Sequence, residues 1–364
     1  MRGVVFDGER ITVADDIELR DLADREVKVR VHAAGLCASD LSVVTGTIPY
    51  PTPVVLGHEG AGIVEEVGPA VTSVKPGDHV VLTTLGNCGL CDACETGHPT
   101  LCRQTFGNLS QPFTRPGPSG PSERGEGEPL WNFANASVFA EYALVKESQA
   151  IAIDADVPLE SACLIGCGVL TGFGAALNRA RVAPGDSVVV FGVGGIGLNV
   201  VQGCVVAGAT TIVAVDANPD KESLALEFGA THFIDAGAGD AVKAVKAIRR
   251  GGVDHAFECV GHPGVIRQAI ATLDWGGQCV LLGVPKLGTE ASFVVADLYQ
   301  DRSILGCRYG SSRPRHDIPL IVDLYRKGHI KLDELVTRTC PLDEVDALVE
   351  DMKAGRLARG VLLP

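Results

Sequence analysis

With 364 residues, 46% of them hydrophobic and 21% charged, the chain has an ordinary globular composition and is long enough for about two domain cores. Its 45 acidic and 31 basic side chains leave a net charge of −14, which argues against nucleic acid or an anionic membrane surface as partner and for a small-molecule ligand. Met1–Arg10 carries Arg2, Asp7, Glu9 and Arg10 around one brief apolar triplet, with no signal-peptide core, so a cytoplasmic protein is expected.

The first hundred residues read as strands and turns. Val27, Val29 and Val31 alternate, Gly62 to Val67 follows, and a Pro76-Gly77-Asp78 turn feeds His79 to Leu82. This predicts a β-rich domain. Next comes Cys88, Cys91, Cys94 and Cys102, a C-x2-C-x2-C-x7-C cluster that can wrap a tetrahedral ion with four thiolates. Two disulfides would use the same residues, but a long chain without a secretion signal more often spends such a cluster on metal. A closed four-thiolate site does no chemistry; it would hold together a lobe, about residues 87–103, that has few apolar side chains. Gln111 to Pro129 is crowded with Pro, Gly and Ser and is expected to be a surface loop.

A scattered set, Cys37, His58 and Cys167, supplies two thiolates and one imidazole, the three-ligand pattern of a zinc site that keeps a fourth position open. Each of the three taken alone is as compatible with a structural role. Cys163, Cys204, Cys259, Cys279, Cys307 and Cys340 stand singly in apolar surroundings and read as core filler.

From Ser187 the pattern changes. Short apolar strands, Val188 to Phe191, Ile212 to Val215, Phe233 to Asp235, His255 to Cys259 and Cys279 to Val284, alternate with helical patterns near Ile196 to Ala207, Lys221 to Phe228, Ala241 to Arg250 and Val265 to Leu273. This is the βαβ rhythm of a parallel, doubly wound sheet. Ser187 to Val215 lacks any charged residue and is long enough for a membrane span, but six glycines, Asn199 and Gln202 interrupt it and acids flank it, so a buried strand, turn, helix and strand is expected.

Within that stretch, Gly192, Gly194, Gly195 and Gly197 belong to a G-x-G-x-x-G turn between a strand and a helix. Such a turn lets a pyrophosphate approach the backbone, and the helix N-terminus attracts the anion. Asp216 ends the next strand, 19 residues after Gly197, where a carboxylate accepts hydrogen bonds from a ribose and repels a 2′-phosphate; NAD is favoured over NADP. Lys221 either braces the same ribose or is a solvated lysine on a helix face.

Gly35 to Asp40, the Gly57-His58-Glu59-Gly60 box, the four-cysteine lobe, Ile165 to Gly168 with Thr171-Gly172, the glycine turn and the ending Arg359 to Leu362 stand in one order. In this the whole chain resembles the zinc-containing medium-chain alcohol dehydrogenases, and its long loop resembles the animal-type branch. The resemblance implies an α/β fold: a GroES-like β-rich catalytic domain over residues 1–168, a Rossmann NAD-binding domain over 169–309, and a return to the catalytic domain over 310–364. It implies two zinc ions per subunit, one bound by Cys37, His58 and Cys167 and one by the cysteine lobe, and a homodimer, with a tetramer as the other arrangement found in the family.

By the same resemblance Ser39 takes the proton from the alcohol, Asp40 orients His58, and Glu59 lies behind the metal. Thr171 supports the nicotinamide, the backbone of Val284 meets its carboxamide, and Arg359 pairs with the pyrophosphate. Thr84, Phe133 and Ala134 resemble substrate-lining residues; Thr84 and Ala134 are smaller than the side chains often found there, which implies room for a bulky or aromatic alcohol. The implied reaction is reversible oxidation of a primary or secondary alcohol by hydride transfer to NAD. Oxidation of a thiol adduct of formaldehyde, conjugate reduction of an unsaturated carbonyl, and a non-enzymatic zinc-bearing dinucleotide-binding protein are the alternatives. Two departures stand out: Ser42 occupies the place where many relatives have a proton-relay histidine, and Ala38 the place of an arginine or histidine on the pyrophosphate.

Overall fold

The computed structural model describes residues 1–105, 110–115 and 127–364. The chain folds as two compact units, one of Met1–Cys167, Arg313–Gly328 and Leu332–Pro364, the other of Gly168–Ser312 with His329–Lys331. Among the described residues no single helix is long and apolar enough to cross a membrane.

The first unit is organised by the eleven-residue strand Glu26–Leu36. Val27, Val29, Val31 and Ala33 face the core and are at most 3% exposed, as a period-two pattern requires. Glu59–Val67 pairs antiparallel on one side of it and Arg359–Leu363 on the other, so Gly35 lies opposite Glu59 and Leu36 opposite Gly360. The register thus brings the two ends of the unit's sequence onto one patch of sheet. Cys37 follows the end of the central strand as the N-cap of helix Ala38–Val44. No helix over Ala38–Val44 is expected from the strand-and-turn pattern.

The expected surface loop at 111–129 is corrected in part. Phe113–Arg115 and Glu128–Asn132 pair as antiparallel strands, with Phe113 opposite Leu130, while 116–126 lies outside the described residues. Phe113 and Leu130 are fully buried with Val5, Ile17 and Val55, and that burial outweighs the local Pro and Gly content.

The second unit holds a six-stranded parallel sheet in the order His232–Asp235, Thr211–Asp216, Ser187–Phe191, Val253–Glu258, Leu273–Leu281, Ser303–Gly306. Numbered by sequence this is 3-2-1-4-5-6, the doubly wound order whose switch point lies beside the first strand. Val189, Val213, Val253 and Ala256 pack against Val245, Ala269 and Ile270 of the covering helices. The charge-free stretch from Ser187 forms strand, turn, helix and strand as its glycines indicate. Three details differ from expectation. Leu273 opens a strand rather than closing a helix, the fifth strand stops at Leu281 before Val284, and a sixth strand follows. Cys163, Cys204, Cys279 and Cys340 are buried, whereas Cys259 and Cys307 are half-buried.

Candidate functional site

In the first unit, donor atoms of Cys37, His58, Glu59 and Cys167 lie within 4.8 Å of one another, and all four residues are buried. Strand register accounts for Glu59, the helix N-cap for Cys37, and the turn before Glu59 for His58. Asp40, on the first turn of that helix, ties these pieces together. Its Oδ2 accepts from Cys37 N at 3.0 Å, and its Oδ1 accepts from Gly57 N at 3.1 Å and lies 3.2 Å from His58 Nδ1. With Nδ1 engaged there, Nε2 is the nitrogen left to face a ligand.

The four groups act on one another. Burial would depress His58, but Asp40 and the two sulfurs outweigh it and hold the imidazole well above its ordinary range. The Cys167 thiol shares its proton with Cys37, and against the cost of burial the Arg359 and His58 cations hold the Cys37 thiol well below its usual range. Burial pushes Glu59 up to about 8, with Arg359 working against it. Two thiols, an imidazole and a carboxyl converging in a dry site form the donor set of a zinc centre, and they fit one.

Arg359, only 4% exposed, sits 3.4 Å from Glu59 Oε1 and donates to Leu36 O at 3.4 Å. Gly35 is required opposite Glu59: a Cβ there would stand 2.5 Å from Glu59 Oε2. Ser39 Oγ is 4.0 Å from Cys37 Sγ. Ser42 Oγ donates to Ala38 O at 2.9 Å, and Ala38 is exposed at the start of the helix. The Phe133 ring stands edge-on to His58, 5.3 Å between centroids. Thr84 is buried and its hydroxyl has no hydrogen-bond partner among the described residues. Ala134 is half-buried.

The Cys88, Cys91, Cys94 and Cys102 sulfurs also lie within 4.8 Å of one another, unpaired as disulfides. Cys88 N and Leu90 N point at sulfurs, of Cys102 and Cys88, both at 3.5 Å. Burial would raise Cys102, but the N–H groups of Cys88 and Gln104 bring it down to about 6, whereas burial pushes Cys94 up to about 11. Backbone donors aimed at sulfur suit thiolates, and four thiolates in this space fit one zinc ion.

In the second unit the glycine turn closes the strand Ser187–Phe191 at the switch point. Gly192 has φ +84°, and a Cβ at Gly197 would collide with Gly192 O. A Cβ at Gly194 would meet open space, and Gly194 caps the helix Gly195–Ala207, so the approach to the helix N-terminus is clear for a phosphate. Asp216 accepts from Val193 N at 2.9 Å and pairs with Lys221 Nζ at 2.9 Å. Thr171 is buried on the helix Gly168–Gly174, and Val284 is 59% exposed.

Sequence reasoning did not single out Tyr50 or Gln149. Tyr50 OH donates to Asn132 O at 2.7 Å and accepts from Ala134 N at 3.3 Å. Gln149 Nε2 donates to Thr83 O at 2.9 Å and Asn135 O at 2.8 Å. Neither lies in a chemical motif, and no local pattern announces them.

Residues 23–155 match the family described as alcohol dehydrogenase GroES-like domain, and 195–327 the family described as zinc-binding dehydrogenase. The S-(hydroxymethyl)glutathione dehydrogenase of Paracoccus denitrificans is 39% identical over 93% of this chain and 92% of its own length. A zinc-binding alcohol dehydrogenase domain protein from Burkholderia ambifaria superposes with TM-score 0.92 at 40% identity, covering 100% of this chain and 98% of that one. The benzyl alcohol dehydrogenase of Acinetobacter calcoaceticus gives TM-score 0.90 at 36% identity with the same coverage. The chain therefore belongs to the zinc-containing medium-chain alcohol dehydrogenase family, as an NAD-dependent enzyme with one catalytic and one structural zinc site.

Proposed function

We propose that the protein oxidises primary or secondary alcohols to aldehydes or ketones, reversibly, and that bulky or aromatic alcohols are its preferred substrates. The observation that carries this reading is the Phe133 ring edge-on to His58 at 5.3 Å, next in sequence to the small side chain of Ala134. Phe133, Ala134 and Thr84 would form an uncharged wall, and an aromatic ring offers favourable contact to an aryl substrate. The likeness to a benzyl alcohol dehydrogenase over the whole chain supports it.

When bound, zinc supplies Lewis acidity toward the alcohol oxygen and NAD accepts the hydride. Cys37, His58 and Cys167 would hold the metal, and Asp40, engaging Nδ1, would leave Nε2 of His58 as the ligand atom. Ser39 would relay the hydroxyl proton, accepting it as its own hydroxyl proton passes on to water. With Ser42 bonded to Ala38 O and unable to act as a base near neutral pH, the proton leaves through water. Glu59, countered by Arg359, sets the charge behind the site. Gly192, Gly194, Gly195 and Gly197 would cradle the pyrophosphate, Asp216 with Lys221 would receive the adenosine ribose, and Thr171 and the Val284 backbone would serve the nicotinamide.

A second reading is oxidation of a thiol adduct of formaldehyde, favoured by the names of curated relatives such as the Paracoccus enzyme. Initial rates of NADH formation with ethanol, longer aliphatic, secondary and benzylic alcohols, beside formaldehyde with and without glutathione, separate the two. Highest kcat/KM for benzylic alcohols supports the first; turnover with formaldehyde only when thiol is present replaces it. Product analysis with an enal tests conjugate reduction. We also propose a cytoplasmic homodimer. Exposed Phe293, Val294 and Val295 precede the sheet-edge strand Ser303–Gly306, which supports a self-pairing surface, and sedimentation tests dimer against tetramer.

A further inference from the structure

The chain kinks where it passes the metal site. Ala134, Asn135 and Ser137 have φ of 50°, 61° and 49°, left-handed values that side chains other than glycine hold only when their surroundings impose them. The surroundings are specific. Ser137 Oγ accepts from Phe133 N at 2.7 Å and donates to Val55 O at 2.6 Å, closing the kink on itself. Tyr50 grips its entry through Asn132 O and Ala134 N, and the Tyr50 ring packs edge-on to Phe133 at 5.2 Å. Gln149 grips its exit.

Gln149 is 1% exposed and fully committed. Its Nε2 spends both protons on Asn135 O and Thr83 O, its Oε1 accepts from Lys146 N at 3.1 Å, and its own carbonyl accepts from Thr83 N at 3.0 Å. One side chain thus staples the residue after Ala134 to the residue before Thr84. No other side-chain chemistry of similar size does this: the two carbonyls need donors and Lys146 N needs an acceptor, so a primary amide satisfies all three.

We infer that Gln149 and Tyr50 are positioning residues for the alcohol: by clamping the Ala134–Asn135 kink from its two ends they fix the Phe133 ring beside His58 and the spacing of the Phe133–Ala134 and Thr84 walls, and so set which alcohols fit. The inference rests on reading those walls as the alcohol pocket. Neither residue touches the reacting atoms. Their effect is on specificity, because a wall displaced by a fraction of an ångström penalises a large rigid alcohol that must contact it and spares a small one that does not.

The test compares Gln149→Met, Gln149→Glu and Tyr50→Phe with the parent enzyme, reading kcat and KM for benzyl alcohol and ethanol, zinc per subunit and thermal midpoint. Methionine keeps the volume and loses the donors; glutamate keeps the shape and turns a carboxylate oxygen toward two carbonyls. The ratio of kcat/KM for benzyl alcohol to that for ethanol should fall by about tenfold in the two Gln149 variants and in the same sense in Tyr50→Phe, mainly through KM, with zinc retained. An equal loss for both alcohols, or loss of zinc, overturns the inference in favour of a purely structural role. If the Gln149 variants do not fold, Tyr50→Phe decides. Ala134→Leu separates the inference from its premise: selectivity changed by Ala134→Leu but by neither clamp variant sinks the clamp alone, and selectivity unmoved by Ala134→Leu sinks the pocket reading and the clamp with it.

Discussion

Asp40 Oδ1 lies 3.2 Å from His58 Nδ1, and both side chains are at most 2% exposed. The same carboxylate accepts the N–H groups of Cys37 and Gly57, so one side chain ties together the two proposed metal ligands Cys37 and His58. In Asp40→Asn the amide cannot accept all three donors. We expect zinc affinity or kcat/KM to fall roughly 10- to 100-fold, read by zinc content after dialysis against a weak chelator and by steady-state rates. Parent-like values for both would refute the orienting role.

The cysteine lobe should bind its zinc independently of the catalytic site. In Cys102→Ser, zinc should drop from two ions to one per subunit, and the thermal midpoint should fall, because the lobe has few apolar side chains and metal binding would contribute directly to its folding. Initial activity should persist in freshly prepared enzyme and decay faster on warming. Two zinc ions retained in Cys102→Ser would exclude the four-thiolate site.

Asp216 should decide between the two nicotinamide coenzymes. Its carboxylate, held by Val193 N and Lys221, meets a ribose hydroxyl favourably and a 2′-phosphate unfavourably. Asp216→Ser should lower kcat/KM for NAD by about tenfold and raise it for NADP, a switch of roughly 1.4 kcal/mol or more. Unchanged coenzyme preference would place the ribose elsewhere.

Ala38 leaves the first position of the helix Ala38–Val44 exposed and uncharged. By the family resemblance Ala38→Arg restores a missing cation, and the NADH dissociation constant should fall roughly fivefold or more, measured by fluorescence titration. An unchanged constant would show that Ala38 does not stand in the place of the relatives' pyrophosphate-binding arginine or histidine.

Glu147 gives a pH signature in stability. Burial would raise its carboxyl, but Thr72 N at 2.9 Å and Ser73 N at 2.9 Å, with the neighbouring hydroxyls, outweigh it and hold the group below its ordinary value. A carboxylate lowered in the folded state adds stability above its unfolded pKa and loses it as pH falls through the folded one. Glu147→Gln should therefore cost about 1–2 kcal/mol near neutral pH, with the difference from the parent closing below about pH 4. Denaturant midpoints across that range check it; a constant difference would rule out the charge as the cause.

The sequence by itself determined the elements whose causes are local: the alternating strand around Val29, the glycine turn at Gly192 with its acid at Asp216, and the four closely spaced cysteines. Periodicity, backbone freedom and ligand spacing act over a few residues, and a single chain displays them directly. Cys37, His58 and Cys167 lie too far apart for spacing to name them; their residue types suggested a ligand set and the family resemblance carried it, without showing that they meet. Only the tertiary structure decided that they do: Cys37 caps the helix after the strand ending at Leu36, His58 precedes Glu59, whose register sets it opposite Gly35, and Asp40 joins the two pieces. Burial, not composition, turned part of the 111–129 stretch into a hairpin through Phe113 and Leu130. The Tyr50 and Gln149 grips on a left-handed kink were invisible for the same reason: a hydrogen bond to a distant carbonyl leaves no pattern in the residues on either side of it.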